Sequence, residues 1–180
     1  MGALALLGAG AAQAQGEAEQ YAKVGEWEIA AESERKLCKM YRYYGSSVDD
    51  HMEGLTVRYD AAEDSVWLTW STDGSTPFVK DGEIDLFLNL VRGQSLDESW
   101  GSRSFHQEKR EGRHYFGHVF HGPKDSRRIL RDLASNEIVS LDLGPVMMTA
   151  LSLDAGGATE KLRECSLKIA ADTAPDPLPE

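Results

Sequence analysis

Apolar and polar residues alternate along several short stretches of this chain, which is the pattern of β-strands with one buried face. In the clearest run, aliphatic side chains occupy every second position: Ile84, Leu86, Leu88 and Leu90. We expect this face to point into the core. Gly93 follows the run and marks the end of the strand.

Two pairs of strands are close enough in sequence to form hairpins. The alternating residues 55–59 and 66–70 are joined by a short polar linker, and residues 104–107 and 114–120 flank the turn signal Glu111-Gly112. Further strands are predicted around Trp27 and Ile29, over residues 37–44, and over residues 138–143 and 146–153, which are joined at Gly144-Pro145.

The apolar spacing changes after Pro123, where Asp125 or Ser126 is predicted to cap a helix over residues 126–135. Nearer the C-terminus, four residues recur at intervals of four, three and four: Ala158, Leu162, Cys165 and Ile169. This spacing places them on one buried stripe of a second helix, over residues 158–170.

Short strands at regular spacing, separated by turn signals, predict a single mainly β domain over residues 24–170. We expect an antiparallel β-sandwich or a partly open barrel with two short helices towards the C-terminus. The polar residues 15–23 are predicted to be a flexible lead-in. Residues 171–180 carry three prolines among acidic residues, which predicts a disordered tail.

The first 14 residues are apolar and uncharged and end in Ala12-Gln13-Ala14, a small-residue pattern typical of signal-peptide cleavage sites. We therefore predict an exported protein, periplasmic or secreted, that loses residues 1–14. No Lys or Arg precedes Lys23, whereas a secretory signal normally begins with a basic region. The alternative is a disordered Ala/Gly tail on a cytosolic protein. Since the run is shorter than the ~20 residues of a spanning helix, no transmembrane segment is predicted.

Two cysteines, Cys38 and Cys165, lie 127 positions apart. In an oxidising compartment we expect them to form a disulfide that ties the last helix to an early strand. The alternative is two free buried thiols. No CxxC motif or cysteine cluster is present in the sequence, which excludes a redox motif or a zinc finger of the usual kind.

The net charge of −11 argues against binding to nucleic acid or to anionic membrane surfaces. The charge is uneven, because residues 103–131 hold eight basic and three acidic residues, a local net charge of +5. This segment is either a solvated hairpin and helix start or a surface that contacts an anionic envelope component or a protein partner. For the second alternative the predicted contact residues are Arg113, Arg127, Arg128, Arg131 and Trp100.

The four tryptophans either fill the β core or form a stacking surface for sugars or peptides. Trp67 and Trp70 are three positions apart, so they point to opposite faces of one strand. Trp100 follows Asp97-Glu98-Ser99 and is expected to be partly exposed.

Neither a metal ion nor a cofactor is predicted. On a helix His114, His118 and His121 would share a face, but their surroundings predict a strand, on which His114 and His118 lie ~13 Å apart. One ion cannot reach both. The acidic residues 49–53 lack the oxygen spacing of a calcium loop and are interpreted as a solvated turn.

No catalytic residue is predicted either. Gly93-Gln94-Ser95-Leu96-Asp97 departs from the G-x-S-x-G elbow at its last position, and no helix follows it. A phosphate-binding glycine loop is also absent from the sequence. If the protein were a hydrolase, His106, His114 or His118 would be its candidate acid or base, but the sequence pairs none of them with a nucleophile.

Three short motifs suggest a family: Gly25-Glu26-Trp27-Glu28-Ile29, then Leu37-Cys38-Lys39-Met40, then Leu151-Ser152-Leu153 before a Gly/Ala-rich helix. Together they resemble the invasion-associated locus B type of exported proteobacterial protein, over most of the chain after the leader. The resemblance implies an exported, mainly β domain without established catalytic residues. Those proteins usually carry more than two cysteines, which is where this chain departs from the pattern.

These observations favour a non-catalytic periplasmic binding or interaction module held together by Cys38–Cys165. The alternatives are an envelope hydrolase whose site is assembled from residues remote in sequence, and a structural or stress-related envelope protein. A pocket with converging titratable groups would favour the enzyme, and an exposed patch would favour the binding module.

Overall fold

The computed structural model describes residues 18–45, 52–73, 81–93 and 95–172. The predicted leader, the acidic residues 49–51 and residues 173–180 of the predicted tail lie outside these ranges. The strands are β1 (Glu19–Val24), β2 (Trp27–Glu32), β3 (Leu37–Gly45), β4 (Met52–Asp60), β5 (Ser65–Thr72), β6 (Gly82–Arg92), β7 (Ser95–Arg110), β8 (Arg113–His121), β9 (Ile138–Leu143) and β10 (Val146–Ser152), and the helices are α1 (Gly122–Ser135) and α2 (Gly156–Asp172). A single 3-10 turn, Ser33–Arg35, lies between β2 and β3.

The ten described strands form one antiparallel sheet in the order β1-β2-β3-β4-β5-β8-β7-β6-β9-β10. The sheet is not closed into a barrel. The prediction of a mainly β, antiparallel protein with two helices towards the C-terminus is therefore confirmed. Strands β5 and β8 pair although β6 and β7 lie between them in sequence, so the middle of the sheet is built by a long-range contact.

Both predicted hairpins are confirmed. In the β4–β5 hairpin, Val57 lies opposite Leu68. In the β7–β8 hairpin, Arg110 lies opposite Arg113, on either side of the predicted turn. The aliphatic face of β6 is buried as its alternation predicts, with no exposed surface at Leu86, Leu88 or Leu90.

Both helices pack on one face of the sheet, and the disulfide fixes α2 there. Cys38 on β3 is bonded to Cys165 on α2, which confirms the predicted pairing. The next residue of α2 also contacts the sheet: the hydroxyl of Ser166 donates a hydrogen bond of 2.8 Å to the carbonyl oxygen of Tyr59 on β4. The stripe of α2 that holds Ala158, Leu162 and Cys165 is buried as predicted.

Side chains also join the two ends of the sheet across the core, which gives it a sandwich-like shape. The indole of Trp27 on β2 donates to the carbonyl oxygen of Leu153, just after β10, over 2.8 Å. The hydroxyl of Thr149 on β10 donates to the carboxylate of Glu53 on β4 over 2.7 Å. These contacts hold β10 over the core-facing side of β2 and β4.

Two predicted boundaries and the predicted cap of α1 are wrong. Strand β1 begins at Glu19, within the segment predicted as a flexible lead-in, because it pairs with β2. Helix α1 begins at Gly122 rather than at 126, and neither predicted cap performs that role. The hydroxyl of Ser126 instead donates to the carbonyl oxygens of Asp64 and Phe120, over 2.5 and 3.1 Å.

The two outer strands are both irregular. The pairing of β1 with β2 shifts between Gln20 and Ala22, and that of β10 with β9 shifts between Met147 and Thr149. In each case the extra residue, Tyr21 or Met148, belongs to the outer strand and packs against the core. Among the described helices, none is both long enough and apolar enough to span a lipid bilayer.

Candidate functional site

The sheet face opposite the helices carries a groove with a volume of about 830 Å³. Its floor is built by neighbouring strands, because Thr56, Thr69, Gly117 and His106 lie side by side across β4, β5, β8 and β7. Gly117 adds no side chain, so the floor is low at its centre. Three tyrosines stand along the groove: Tyr41, Tyr43 and Tyr115.

Most of the cations that line the groove are paired with carboxylates. Lys39 contacts Glu32 over 2.8 Å, and Arg58 lies 3.7 Å from the same carboxylate. Burial opposes ionisation of Glu32, but the hydrogen bond from Lys39 and the surrounding positive charges outweigh it and lower the pKa of Glu32. Arg42 pairs with Glu26, and Arg110 with Glu108.

Arg113 at the start of β8 differs from these cations. Its Nη2 donates to the carbonyl oxygen of Met52 over 3.1 Å and to the hydroxyl of Ser71 over 3.4 Å. Its guanidinium also lies 6.0 Å from the ring centroid of Tyr43. Within the described part of the chain no carboxylate pairs with Arg113, so its positive charge is held in place and remains uncompensated.

Gly54 on β4 gives this corner of the groove its shape. A Cβ at that position would lie 2.7 Å from the Ser71 hydroxyl and 3.1 Å from two ring carbons of Tyr43. The Tyr43 ring therefore lies against the backbone of Gly54, and 58% of the residue remains exposed. Arg113, Ser71, Gly54 and Tyr43 form one unit, which we call the Arg113 corner.

Two other tyrosines are fixed by charged neighbours. The phenol of Tyr41 donates to the Glu28 carboxylate over 2.6 Å, and this bond, with burial, raises the pKa of Tyr41 to about 12. The Tyr41 and Tyr43 rings meet edge to face at 5.9 Å. Tyr115 lies beneath the guanidinium of Arg110, 5.1 Å away. The phenol of Tyr41 therefore stays neutral near pH 7.

The other predicted contact residues lie elsewhere, on or beside α1. Arg127, Arg128 and Arg131 line a shallow depression of about 560 Å³ with Pro123 and Lys124. Two of these arginines contact Asp132, which is only 3% exposed: Arg131 over 2.8 Å and Arg128 over 3.5 Å. The structure therefore separates Arg113 from the three arginines of α1.

Trp100 is not partly exposed, so that prediction is wrong. It is 3% exposed, and its indole donates to the Asp132 carboxylate over 3.2 Å. The guanidinium of Arg128 stacks over its ring at 4.3 Å. The polar neighbours of Trp100 in sequence gave no sign that an acid on α1 would pair with its N–H.

In the described ranges, the rings of two histidines contact a carboxylate or a carbonyl oxygen. His106 contacts Glu83 over 3.2 Å, and the Ser104 hydroxyl donates to the same carboxylate. His118 contacts the carbonyl oxygen of Ser104 over 2.8 Å. Across the described residues, no histidine ring is hydrogen-bonded to a serine, threonine or cysteine side chain. His114, His118 and His121 lie on strand β8, as predicted.

Among the described residues, no group of three or more His, Cys, Asp or Glu side chains is placed to hold a metal ion. Comparisons of the chain with protein-family models, with curated proteins and with solved structures found no match. The candidate site is therefore defined by its own geometry, with the Arg113 corner as its most distinctive part.

Sequence reasoning found Arg113 but missed the residues that hold it: Tyr43, Ser71 and the carbonyl of Met52. One signal was available. Polar side chains alternate with buried ones on β3, β4 and β5, which marks a second, polar face of the sheet. The alternation does not reveal which strands are neighbours, so it could not predict that β8 pairs with β5.

Proposed function

We propose that this protein is an exported, non-catalytic binding module, stabilised by Cys38–Cys165, that holds an anionic ligand in the groove on its open sheet face. The observation that carries the proposal is the guanidinium of Arg113, which pairs with no carboxylate of the described ranges. The partner would be an anionic component of the cell envelope, and the protein would work in the periplasm or outside the cell.

Two observations support export. A disulfide across 127 positions suits an oxidising compartment, and residues 1–14 have the pattern of a cleaved leader. The motifs that resemble the invasion-associated locus B type also converge in space, since Trp27 contacts Leu153 and Cys38 is bonded to Cys165. Membership of that family is part of the proposal.

The geometry favours the groove over the arginines of α1 as the binding site. Arg128 and Arg131 already contact a buried carboxylate, which offsets their charge. Among the described residues, Arg113 instead contacts neutral groups alone: a carbonyl, a hydroxyl and a ring. A guanidinium held in this way is prepared for an anion, because little freedom is lost when a charged hydrogen bond forms.

The experiment compares binding of dextran sulfate and of neutral dextran to the mature protein at about 0.15 M salt, where exposed charges more than ~8 Å apart are largely screened. We expect dextran sulfate alone to bind. Arg113→Gln should weaken that binding by about tenfold, as expected for a hydrogen bond between charged groups. Arg127→Gln removes the same charge from α1 and is the matched control, with an expected change below about twofold.

Equal losses in the two variants would show that the probe senses overall charge and would overturn the assignment to the groove. A loss confined to Arg127→Gln would move the site to α1. Export is tested separately by the intact mass of protein recovered from the periplasm. Loss of residues 1–14 and of two hydrogens would support export, whereas a full-length chain with two reactive thiols would overturn it.

A further inference from the structure

We infer that the ligand of the groove is an oligosaccharide that carries carboxylates, with one carboxylate on Arg113 and a neighbouring sugar ring on Tyr43. This inference rests on the proposed function and names the ligand class of the same site. It follows from three properties of the groove: its paired backbone, its exposed ring and its hydroxyl floor.

The backbone of the groove offers nothing to an extended peptide. The floor strands β4, β5, β8 and β7 each pair with a strand on both sides, so their N–H and C=O groups are used within the sheet. Peptides bound as strands normally add to a free sheet edge and derive affinity from main-chain hydrogen bonds. Recognition in this groove must therefore come from side chains alone, which disfavours an acidic peptide.

Tyr43 supplies a flat surface for a sugar ring. One side of its ring lies against Gly54, where a Cβ would approach ring carbons to 3.1 Å, and the residue is 58% exposed. The C–H face of a pyranose ring is apolar and is removed from water when it stacks on an aromatic ring. The ring is already held in position, so little side-chain entropy is lost on binding.

The floor beyond Tyr43 carries the hydroxyl groups of two threonines. Thr56 and Thr69 lie opposite each other on β4 and β5, and Gly117 follows on β8. Hydroxyls both donate and accept, which matches the hydroxyls of a sugar. A volume of about 830 Å³ is in the range of ligand sites, roughly 300–1,000 Å³, and extends well beyond one carboxylate.

Arg113 then selects the acidic sugar. Both of its hydrogen bonds use Nη2, and in the described ranges its other N–H groups make none. These groups are available for the two oxygens of a carboxylate, the partner that a guanidinium binds best. The distance of 6.0 Å between its guanidinium and the centroid of the Tyr43 ring places the charge and the stacking surface close enough for two neighbouring sugar units.

The test measures affinity by calorimetry for three probes: a galacturonic acid hexamer, the same hexamer as its methyl ester, and hexaglutamate. We expect the acidic hexamer to bind at least about tenfold more tightly than the ester, which lacks only the charges. Arg113→Gln should remove that difference. Tyr43→Leu should weaken the acid and the ester by a similar factor, about fivefold, because it removes the flat ring and leaves the charge.

Each outcome has a distinct meaning. If hexaglutamate binds as tightly as the acidic hexamer and depends on Arg113, the ligand class is wrong and the anion-binding function stands. If Tyr43→Leu leaves the affinity for both sugars unchanged, the stacking assignment is wrong. If neither acidic probe binds but dextran sulfate still binds in an Arg113-dependent way, this inference fails and the proposed function stands. If the binding of dextran sulfate also ignores Arg113→Gln, both fail. Unchanged near-UV circular dichroism shows that each variant is folded.

Discussion

The indole nitrogen of Trp27 lies 2.8 Å from the carbonyl oxygen of Leu153, a residue 126 positions later in the chain. The bond is buried and joins the second strand of the sheet to the end of its last strand. Arg42 also donates to that carbonyl, over 3.3 Å. The carbonyl of Leu153 thus accepts hydrogen bonds from two neighbouring strands, β2 and β3, and these bonds link the two ends of the sheet.

We expect Trp27→Phe to lower the free energy of unfolding by about 2 kcal/mol, because it removes a buried hydrogen bond and part of a packed ring. Urea unfolding followed by circular dichroism measures this change. Trp67→Phe is the matched control, since Trp67 is half-exposed on the open face and its replacement should cost below about 1 kcal/mol. Equal losses in the two variants would contradict the importance of the bond.

Loss of the disulfide should destabilise the protein more than any single side-chain change. Closing a loop of 127 positions corresponds to about 4–5 kcal/mol in the chain-entropy relation. We expect the double variant Cys38→Ser/Cys165→Ser to show this loss in urea unfolding without reductant. The wild-type protein with reductant should unfold close to the variant. A variant as stable as the oxidised wild type would show that the bond contributes little.

Two arginines of α1, Arg128 and Arg131, are expected to stabilise the fold through their contacts with the buried carboxylate of Asp132. Replacing both Arg128 and Arg131 by Gln should lower the free energy of unfolding by about 3 kcal/mol at most, because a buried carboxylate is left without its cations. Adding Asp132→Asn to that variant should restore part of the loss. Arg127→Gln, on the same helix, should be neutral in thermal unfolding. No recovery in the triple variant would refute the role of the carboxylate.

Gly54 is expected to tolerate no side chain without damage to the Arg113 corner. Gly54→Ala should cost about 1–2 kcal/mol, since its Cβ would displace Ser71 or Tyr43. It should also weaken binding of the acidic hexamer, because both neighbours contact Arg113. Gly45→Ala is the control, because nothing lies within 4 Å of its Cβ position. Calorimetry and urea unfolding of both variants test the two effects.

His118 should make the protein less stable in mild acid. Burial lowers the pKa of His118 below its usual 6.5; the bond to the Ser104 carbonyl and Glu83 oppose this, while Arg103 and His121 add to it. The unfolded chain therefore binds the proton first, and stability falls as the pH drops below about 6.5, until the folded pKa is passed.

Replacing this histidine isolates its contribution. In His118→Gln the difference in urea midpoint between pH 7.5 and pH 5 should be smaller than in the wild-type protein, because no proton is taken up at this position on unfolding. Glu32 titrates in a lower range, since its pKa is lowered from 4.5, so its effect appears only in stronger acid. An unchanged pH dependence in His118→Gln would contradict the burial effect.

Local patterns predicted most of the fold. The alternation on β6 and the spacing on α2 identified buried faces, because a side chain's direction depends only on its neighbours along the chain. The helix start was misplaced because Ser126, a good capping residue, bonds instead to Asp64 on another element. A contact between residues 62 positions apart produces no recognisable pattern in the sequence around Ser126.

The candidate site was predicted only in part, for the same physical reason. Arg113 stood out by its charge, but its neighbours Tyr43 and Ser71 come from other strands, and their proximity depends on the pairing of β5 with β8. Trp100 was misread because its partner Asp132 lies on a helix 32 positions later. A charge pattern can identify one residue of a site, but the order of strands in the sheet determines which residues lie beside it.

Tyr21 and Met148 lie on β1 and β10, the outermost of the described strands, which do not pair with each other. Each residue interrupts the regular spacing of the main-chain groups along its edge. An incoming strand from a second molecule cannot stay in register along the whole edge, so growth of fibres by edge pairing is impeded. The two residues that pack against the core thus also make the edges of the sheet poor templates for a strand of another molecule.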